Sequence, residues 1–176
     1  KDELSRFKKD QVVMSLFNPL ANSEMVEDLA GRNLTAFSLD SIPRITRAQS
    51  MDVLSSMGTI AGYKAVVDAA DHLPEFFPMF MSAAGTIKPA KVLILGAGVA
   101  GLQAIATARR LGGVVEVFDV RSAVKEEVQS LGAKFIEVEG SRESEDAGGY
   151  AVEQTEEYQQ KQRQLVHDHA AKSDVI

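Results

Sequence analysis

KVLILGAGVAGLQAIATARRLGGVVEVFD, residues 91–119, sets the reading of this chain. Residues 92–95 form a short apolar run, as suits a parallel strand buried on both faces. Gly96, Gly98 and Gly101 follow in the pattern G-x-G-x-x-G. Leu102, Ile105, Ala106 and Leu111 recur at helical spacing, and Arg109 and Arg110 stand in the last turn, where cations favour the negative end of the helix dipole. Gly112-Gly113 stops the helix. Residues 114–118 read as a second strand, with Asp119 at its end.

Each glycine has a chemical reason. The first permits a tight turn out of the strand, the second lets backbone approach a pyrophosphate, and the third lets helix and strand pack closely. The phosphates would face the unpaired N–H groups at the positive end of the helix. Asp119 is placed to accept hydrogen bonds from an adenosine ribose, and its charge disfavours a 2′-phosphate, so NAD is favoured over NADP. The candidate cofactor-binding residues are Gly96, Ala97, Gly98, Val99, Gly101, Asp119, Val120 and Arg121. A bare G-x-G-x-x-G also occurs in α/β turns whose glycines serve only packing; here strand, helix, second strand and terminal acid stand where the fingerprint needs them. Arg121 reads two ways: it could hold a 2′-phosphate, or simply open the next helix.

Composition narrows the class. With 176 residues, 45% apolar and 25% charged, the chain suits one soluble domain or parts of two. A net charge of −6 argues against nucleic acid or an anionic membrane as the main partner. With no cysteine there is no disulfide, thiolate nucleophile or thiolate metal site. His167 and His169 do not face each other on a helix, so they read as solvated positions and no metal is expected. The charged amino terminus does not read as a signal peptide, and glycines break the apolar run at 92–108, so no membrane span is expected. Both ends read as cuts: the chain opens inside a helix and stops at SDVI (residues 173–176) as a strand begins.

The remaining segments are α/β in pattern. Residues 11–17 and 34–39 read as strands around a helix over 24–31, capped by Asn22-Ser23, with Met25, Val26 and Leu29 inward. This pattern suits the tail of a first α/β domain, residues 1–43; it could also extend the later sheet. Residues 44–82 would connect it to a Rossmann-type βαβαβ domain, 83–176, that is itself incomplete. A long helix is expected from about Ala48 to Ala70, with Met51, Leu54, Ile60, Ala61, Val66 and Val67 apolar and small residues (Ser55, Ser56, Gly58, Ala61, Gly62, Ala65) allowing close packing or a bend. By periodicity, Arg44, Arg47, Gln49 and Asp52 read as ordinary polar groups at a helix start, with a site as the alternative. EFFPMFM (residues 75–81) suits core or inter-domain packing, and residues 85–89 a loop. Beyond Asp119, a helix over 122–131 and a strand over 134–138 complete βαβαβ. An acidic loop, 139–149, with hinge candidates Gly148 and Gly149 precedes a polar helix, 152–172, with a thin apolar stripe (Val152, Tyr158, Leu165, Val166, Ala170).

RITRAQSMDVLSS (residues 44–56), AGYKAV (61–66), AAGTIKPAKVLILGAGVAGLQAIATARRLG (83–112), FDVR (118–121) and EDAGGYA (145–151) together resemble the NAD(H)-binding component of bacterial proton-translocating nicotinamide nucleotide transhydrogenase. The resemblance covers essentially the whole chain. The fingerprint is shared with alanine dehydrogenase; the R-x-x-R-A-Q-S-M-D and G-G-Y-A stretches are far more specific to transhydrogenase. The resemblance implies that Arg44, Gln49, Asp52 and Ser55 lie in a loop beside the nicotinamide and orient it, and that Tyr150 closes a mobile acidic lid. It implies direct hydride transfer from NADH to NADP⁺ on a separate NADP(H)-binding component, coupled to a membrane proton-translocating component. It further implies a homodimer at the cytoplasmic face of the bacterial inner membrane. An alanine dehydrogenase and a non-enzymatic NAD-sensing module are the alternatives.

Overall fold

The computed structural model describes residues 3–138 and 156–176. The chain divides into two compact units, Lys1–Met57 and Gly58–Ile176. In the first, β1 (Val12–Ser15) and β2 (Thr35–Ser38) pair in parallel, Val13 opposite Ala36, with α1 (Ser23–Gly31) as the crossover. This is the strand–helix–strand unit expected from the sequence. Leu4, Val13 and Leu29 are buried together, with Phe7, Phe17, Met25 and Leu34 against them. Val26 departs from expectation at 40% exposed. One residue turns a helix by about 100°, which takes Val26 off the Met25–Leu29 stripe. Asn22 holds the N-cap position of α1 but makes no capping bond there; its amide meets Met25 Sδ at 3.7 Å.

The second unit is built on a parallel sheet. β5 (Lys91–Leu95) pairs with β6 (Val114–Phe118), and β6 with β7 (Lys134–Ile136). Val175 adds a parallel bridge to Val92 on the free side of β5; Leu93 N–H donates to the Val175 carbonyl at 2.9 Å, and Lys91 N–H donates to Asp174 Oδ2 at 2.7 Å. The spatial order is therefore Val175 segment, β5, β6, β7. The sheet reverses direction of growth at β5, so its carboxyl end is a topological switch point. Helices α3 (Val99–Arg110), α4 (Lys125–Ser130) and α5 (Glu156–Ala170) link the strands. Val92, Val115, Val117, Ile105, Ala108, Val128 and Phe135 fill the core. Leu111, expected inward, is exposed: it is the C-cap of α3, and Gly112 at φ +90° turns the chain away.

α2 (Val53–His72) starts at Val53, five residues later than its periodicity suggests, because Thr46–Met51 forms a 3-10 turn. Its inward face also differs from the one its apolar pattern points to. Met51, Leu54, Ile60 and Ala61 are exposed, whereas Gly62 is buried; Val66 is buried as its place in the apolar pattern suggests. Within the second unit the inward ridge is Gly58, Gly62, Val66 and Ala70, at four-residue spacing. The small residues do permit close packing, as expected. A Cβ on Gly58 would sit 3.7 Å from Val99 Cγ1, and one on Gly62 would fall 2.0 Å from the Ala100 carbonyl oxygen.

The EFFPMFM stretch is mostly not core. Phe77 is buried, but Phe76, Met79, Phe80 and Met81 are exposed, Met81 at 78%. The loop expected at 85–89 is instead half of an antiparallel hairpin, β3 (Phe80–Ser82) with β4 (Gly85–Ile87). His169 also departs from expectation. It is half-buried rather than solvated, and its Nδ1 lies 2.5 Å from Glu116 Oε2, tying α5 to β6; Lys134 Nζ donates to the other Glu116 oxygen at 2.8 Å. His167 is exposed as expected.

Gly62→Ala tests the α2–α3 contact. The obstacle is backbone and cannot swing aside, so the intact protein should lose about 1–3 kcal/mol of stability, the usual cost of overpacking, measured by urea unfolding. An unchanged midpoint would show that α2 can lift off α3 without penalty.

Candidate functional site

The fingerprint turn sits at the switch point, and its three glycines prove unlike one another. Gly96 has φ +103°, which a side chain rarely adopts. A Cβ on Gly101 would fall 1.9 Å from the Gly96 carbonyl oxygen, so α3 can start over the end of β5 only without one. Both glycines are thus required by the fold. Gly98 is not: its φ is −77°, and a Cβ there would meet no heavy atom within 4 Å. Among the described residues nothing asks for glycine at that position.

Gly98 is also the N-cap of α3 and has no side chain to cap it. The first i→i−4 bond runs from Leu102 N–H to the Gly98 carbonyl at 2.8 Å. The N–H groups of Val99, Ala100 and Gly101 therefore lack an intrahelical acceptor, at the positive end of the helix dipole. Such an end suits an anion. Val99 is exposed beside it.

Ala97 is buried, and its N–H donates to Asp119 Oδ2 at 2.7 Å. This bond links the turn after β5 to the end of β6. Asp119 Oδ1 accepts Arg121 N–H at 2.8 Å and Nε–H at 3.1 Å, and Oδ2 accepts Arg121 Nη2–H at 3.0 Å. Burial would raise the Asp119 carboxyl, but the Arg121 guanidinium and the Ala97 and Arg121 backbone N–H groups outweigh it and hold the carboxyl below its ordinary value. Asp119 is thus an ionised, aimed acceptor at neutral pH. Val120 points into solvent. Of the fingerprint candidates, the structure brings Ala97, Asp119 and Arg121 into direct contact.

Arg44, Gln49, Asp52 and Ser55 lie in the first unit. Asp52 Oδ1 accepts Ser55 N–H at 2.9 Å, and Oδ2 accepts the Ser55 hydroxyl at 2.7 Å. These bonds cap α2 and explain its late start. They are also the main reason the Asp52 carboxyl is held low, with the Arg44 charge adding to the effect. Arg44 and Gln49 are exposed. Tyr150, with the acidic loop 139–149 and its glycines, lies outside the described residues. A cavity of about 650 Å³ beside β1, lined by Phe7, Val13, Phe17 and Met25 among others, holds none of the candidates. Two features are absent from the sequence reading although each leaves a signal there: the D-x-x-S cap at Asp52–Ser55, and the G-x-x-x-G spacing of Gly58 and Gly62, which seats α2 behind the first turn of α3.

Residues 1–61 match the family described as alanine dehydrogenase/PNT, N-terminal domain, and residues 65–176 match alanine dehydrogenase/PNT, C-terminal domain. The chain is 51% identical over 176 residues to an NAD(P) transhydrogenase alpha subunit of Rhodospirillum rubrum, covering 99% of this chain and 46% of that one. The crystal structure of transhydrogenase from Sinorhizobium meliloti superposes with a TM-score of 0.87 at 52% identity, over 98% of this chain and 46% of that one. An L-alanine dehydrogenase structure gives 0.60 at 25% identity, over 76% and 38%. The chain thus spans about half the length of the relatives it matches.

Two outcomes test the site. Gly98→Ala should melt with the wild type yet lose at least about tenfold in dinucleotide affinity, the worth of one charge-assisted hydrogen bond, whereas Gly101→Ala should lower the melting temperature itself. Equal behaviour in the two variants would mean that Gly98 serves only the turn. The second test concerns pH. Asp119 titrates lower in the folded chain than in the unfolded one. Its contribution to stability is therefore complete above the ordinary carboxylate range and disappears as pH falls through the lowered folded value. Asp119→Asn should flatten the acid limb of the urea midpoint followed from about pH 7 to about pH 2. An unaltered limb would detach this carboxylate from the stability of the turn.

Proposed function

The chain belongs to the alanine dehydrogenase/PNT family, and from that premise we propose that it binds NAD(H) at the α3 turn and presents it for direct hydride transfer to NADP⁺. The acceptor is held on an NADP(H)-binding component, and a membrane component couples the transfer to proton translocation. The observation that carries this reading is Gly98, whose φ is open to any residue and whose added Cβ would meet nothing within 4 Å among the described residues, beside three helix N–H donors without intrahelical acceptors. A pyrophosphate drawn close to that backbone gives the missing Cβ a purpose. Asp119 takes the ribose hydroxyls, and its charge sets NAD(H) ahead of NADP(H).

Hydride transfer moves a hydrogen with its electron pair from one nicotinamide ring to the other. It requires no covalent nucleophile and no proton donor on the protein. The protein's contribution is orientation and exclusion of water. On the resemblance of the RITRAQSMDVLSS stretch, Arg44, Gln49, Asp52 and Ser55 orient the nicotinamide and its carboxamide. The intact protein is a homodimer peripheral to the membrane; among the described residues no helix is long and apolar enough to cross a membrane. The 51% identity to a transhydrogenase subunit, against 25% to an alanine dehydrogenase structure, favours this reading over amino-acid oxidation.

The test is isotopic. The intact protein, mixed with an NADP(H)-binding component of this family, should carry deuterium from the C4 position of labelled NADH into NADPH, and should not reduce NAD⁺ with alanine. Binding of NADH without label transfer would make the chain a sensor. Alanine-dependent reduction would make it a dehydrogenase.

A further inference from the structure

An ionised carboxylate offers about four lone-pair sites, and all four sites of Asp119 are taken. Two donors are backbone and built into the fold: Ala97 N–H and Arg121 N–H. The other two, Nε–H and Nη2–H, belong to the Arg121 side chain, which places one on each oxygen. The Asp119 side chain is only 6% exposed, and that of Arg121 is 35% exposed. A buried carboxylate without a partner would be costly. The guanidinium supplies the partner from the solvent side.

A ribose bound in the fingerprint's manner donates two hydrogen bonds from neighbouring hydroxyls to this same carboxylate. The backbone donors cannot yield, since Ala97 N–H holds the turn against β6. The only exchangeable pair is the guanidinium fork. A fork of two N–H donors and a vicinal diol of two O–H donors present the same pattern to a carboxylate edge.

We infer that the Arg121 side chain occupies the ribose seat on Asp119 and is displaced from it when NAD(H) binds. The inference rests on the proposed nucleotide site and gives Arg121 a role opposite to that of a ligand-binding residue. It is a competitor held two residues from the acid it guards. It keeps Asp119 ionised and aimed, and it lowers nucleotide affinity by the strength of the pair it must break. In its present position the guanidinium also feels the charge of Glu127 on α4. A 2′-phosphorylated ribose has lost one of the two hydroxyl donors and so exchanges poorly with the fork. Arg121 therefore sharpens the preference for the unphosphorylated dinucleotide instead of accommodating its rival.

Titration of the intact protein with NADH, ADP-ribose and NADPH tests this by the sign of the change. Arg121→Ala should tighten NADH and ADP-ribose by roughly two- to fivefold, the range for releasing a partly exposed ion pair. Arg121→Lys keeps the charge but cannot present the planar fork, so it should fall between wild type and Arg121→Ala. Unchanged or weaker NADH binding in Arg121→Ala would overturn the inference, as would a selective loss of NADPH, which would make Arg121 a phosphate ligand. Asp119→Asn separates the two levels of the argument. If it leaves ADP-ribose binding untouched, or if the wild type binds none, the ribose site itself fails and the inference fails with it. If Asp119→Asn weakens ADP-ribose and Arg121→Ala does not tighten it, only the role of Arg121 is lost.

Discussion

The amino end of α3 is held between two backbones. On one side Gly101 lies against the Gly96 carbonyl; on the other, Ala100 lies against Gly62 of α2. Neither approach leaves room for a Cβ. The first fixes how closely the helix follows β5, and the second fixes its depth against α2. Protein interiors yield little to such contacts. The open N–H groups of Val99, Ala100 and Gly101 are therefore aimed by packing on both sides, without help from any capping side chain.

Electrostatics completes what packing begins. The Ala97–Asp119 bond spans the mouth between β5 and β6, so the turn and the acid cannot be displaced separately. Asp119 carries its charge in a half-dry place because donors surround it. Backbone donors fix its position, and a side-chain donor neutralises it. A dinucleotide site needs an anion acceptor and a diol acceptor a fixed distance apart. On the proposed reading, the open N–H groups of Val99, Ala100 and Gly101 and the Asp119 carboxylate would fill these two roles.

How far this is legible in the sequence depends on the range of the interaction. The βαβαβ order and the Gly112 and Gly132 stops follow from patterns that local chain geometry enforces, and within the SDVI stretch, 173–176, Val175 bridges to Val92. The β3–β4 hairpin is hidden because its two-residue turn is Ala83-Ala84, without the Asn-Gly or Asp-Gly signal that usually marks one. The start of α2 is misplaced by periodicity because the residues before Asp52 share its apolar period, although only the cap shows where α-helical bonding begins. Its inward face is misassigned for a related reason. Hydrophobicity points to Met51, Leu54 and Ile60, but the close approach selects the smallest residues. His169 reads as solvated because its partner, Glu116, is 53 positions away in the chain. At the fingerprint, the spacing locates the turn between β5 and α3 but cannot show that a Cβ at Gly98 would meet no described atom while one at Gly101 would strike the Gly96 carbonyl.

The pairing beside β5 has a consequence for how the chain assembles. β5, β6 and β7 meet their neighbours within a few tens of residues, but the backbone of Lys91 meets Asp174 across a separation of 83. Loop-closure entropy rises only slowly with length, yet long-range pairings still arrive late, because they must await a surface that repays the ordering of so much chain. Chain entropy thus favours zippering of β5 through β7 first and docking of the Val175 segment last. The strand that leads into the glycine turn passes through an interval with one edge open. Open edges invite pairing with other chains, so until the Val175 segment docks, the free edge of β5 is open to misassociation.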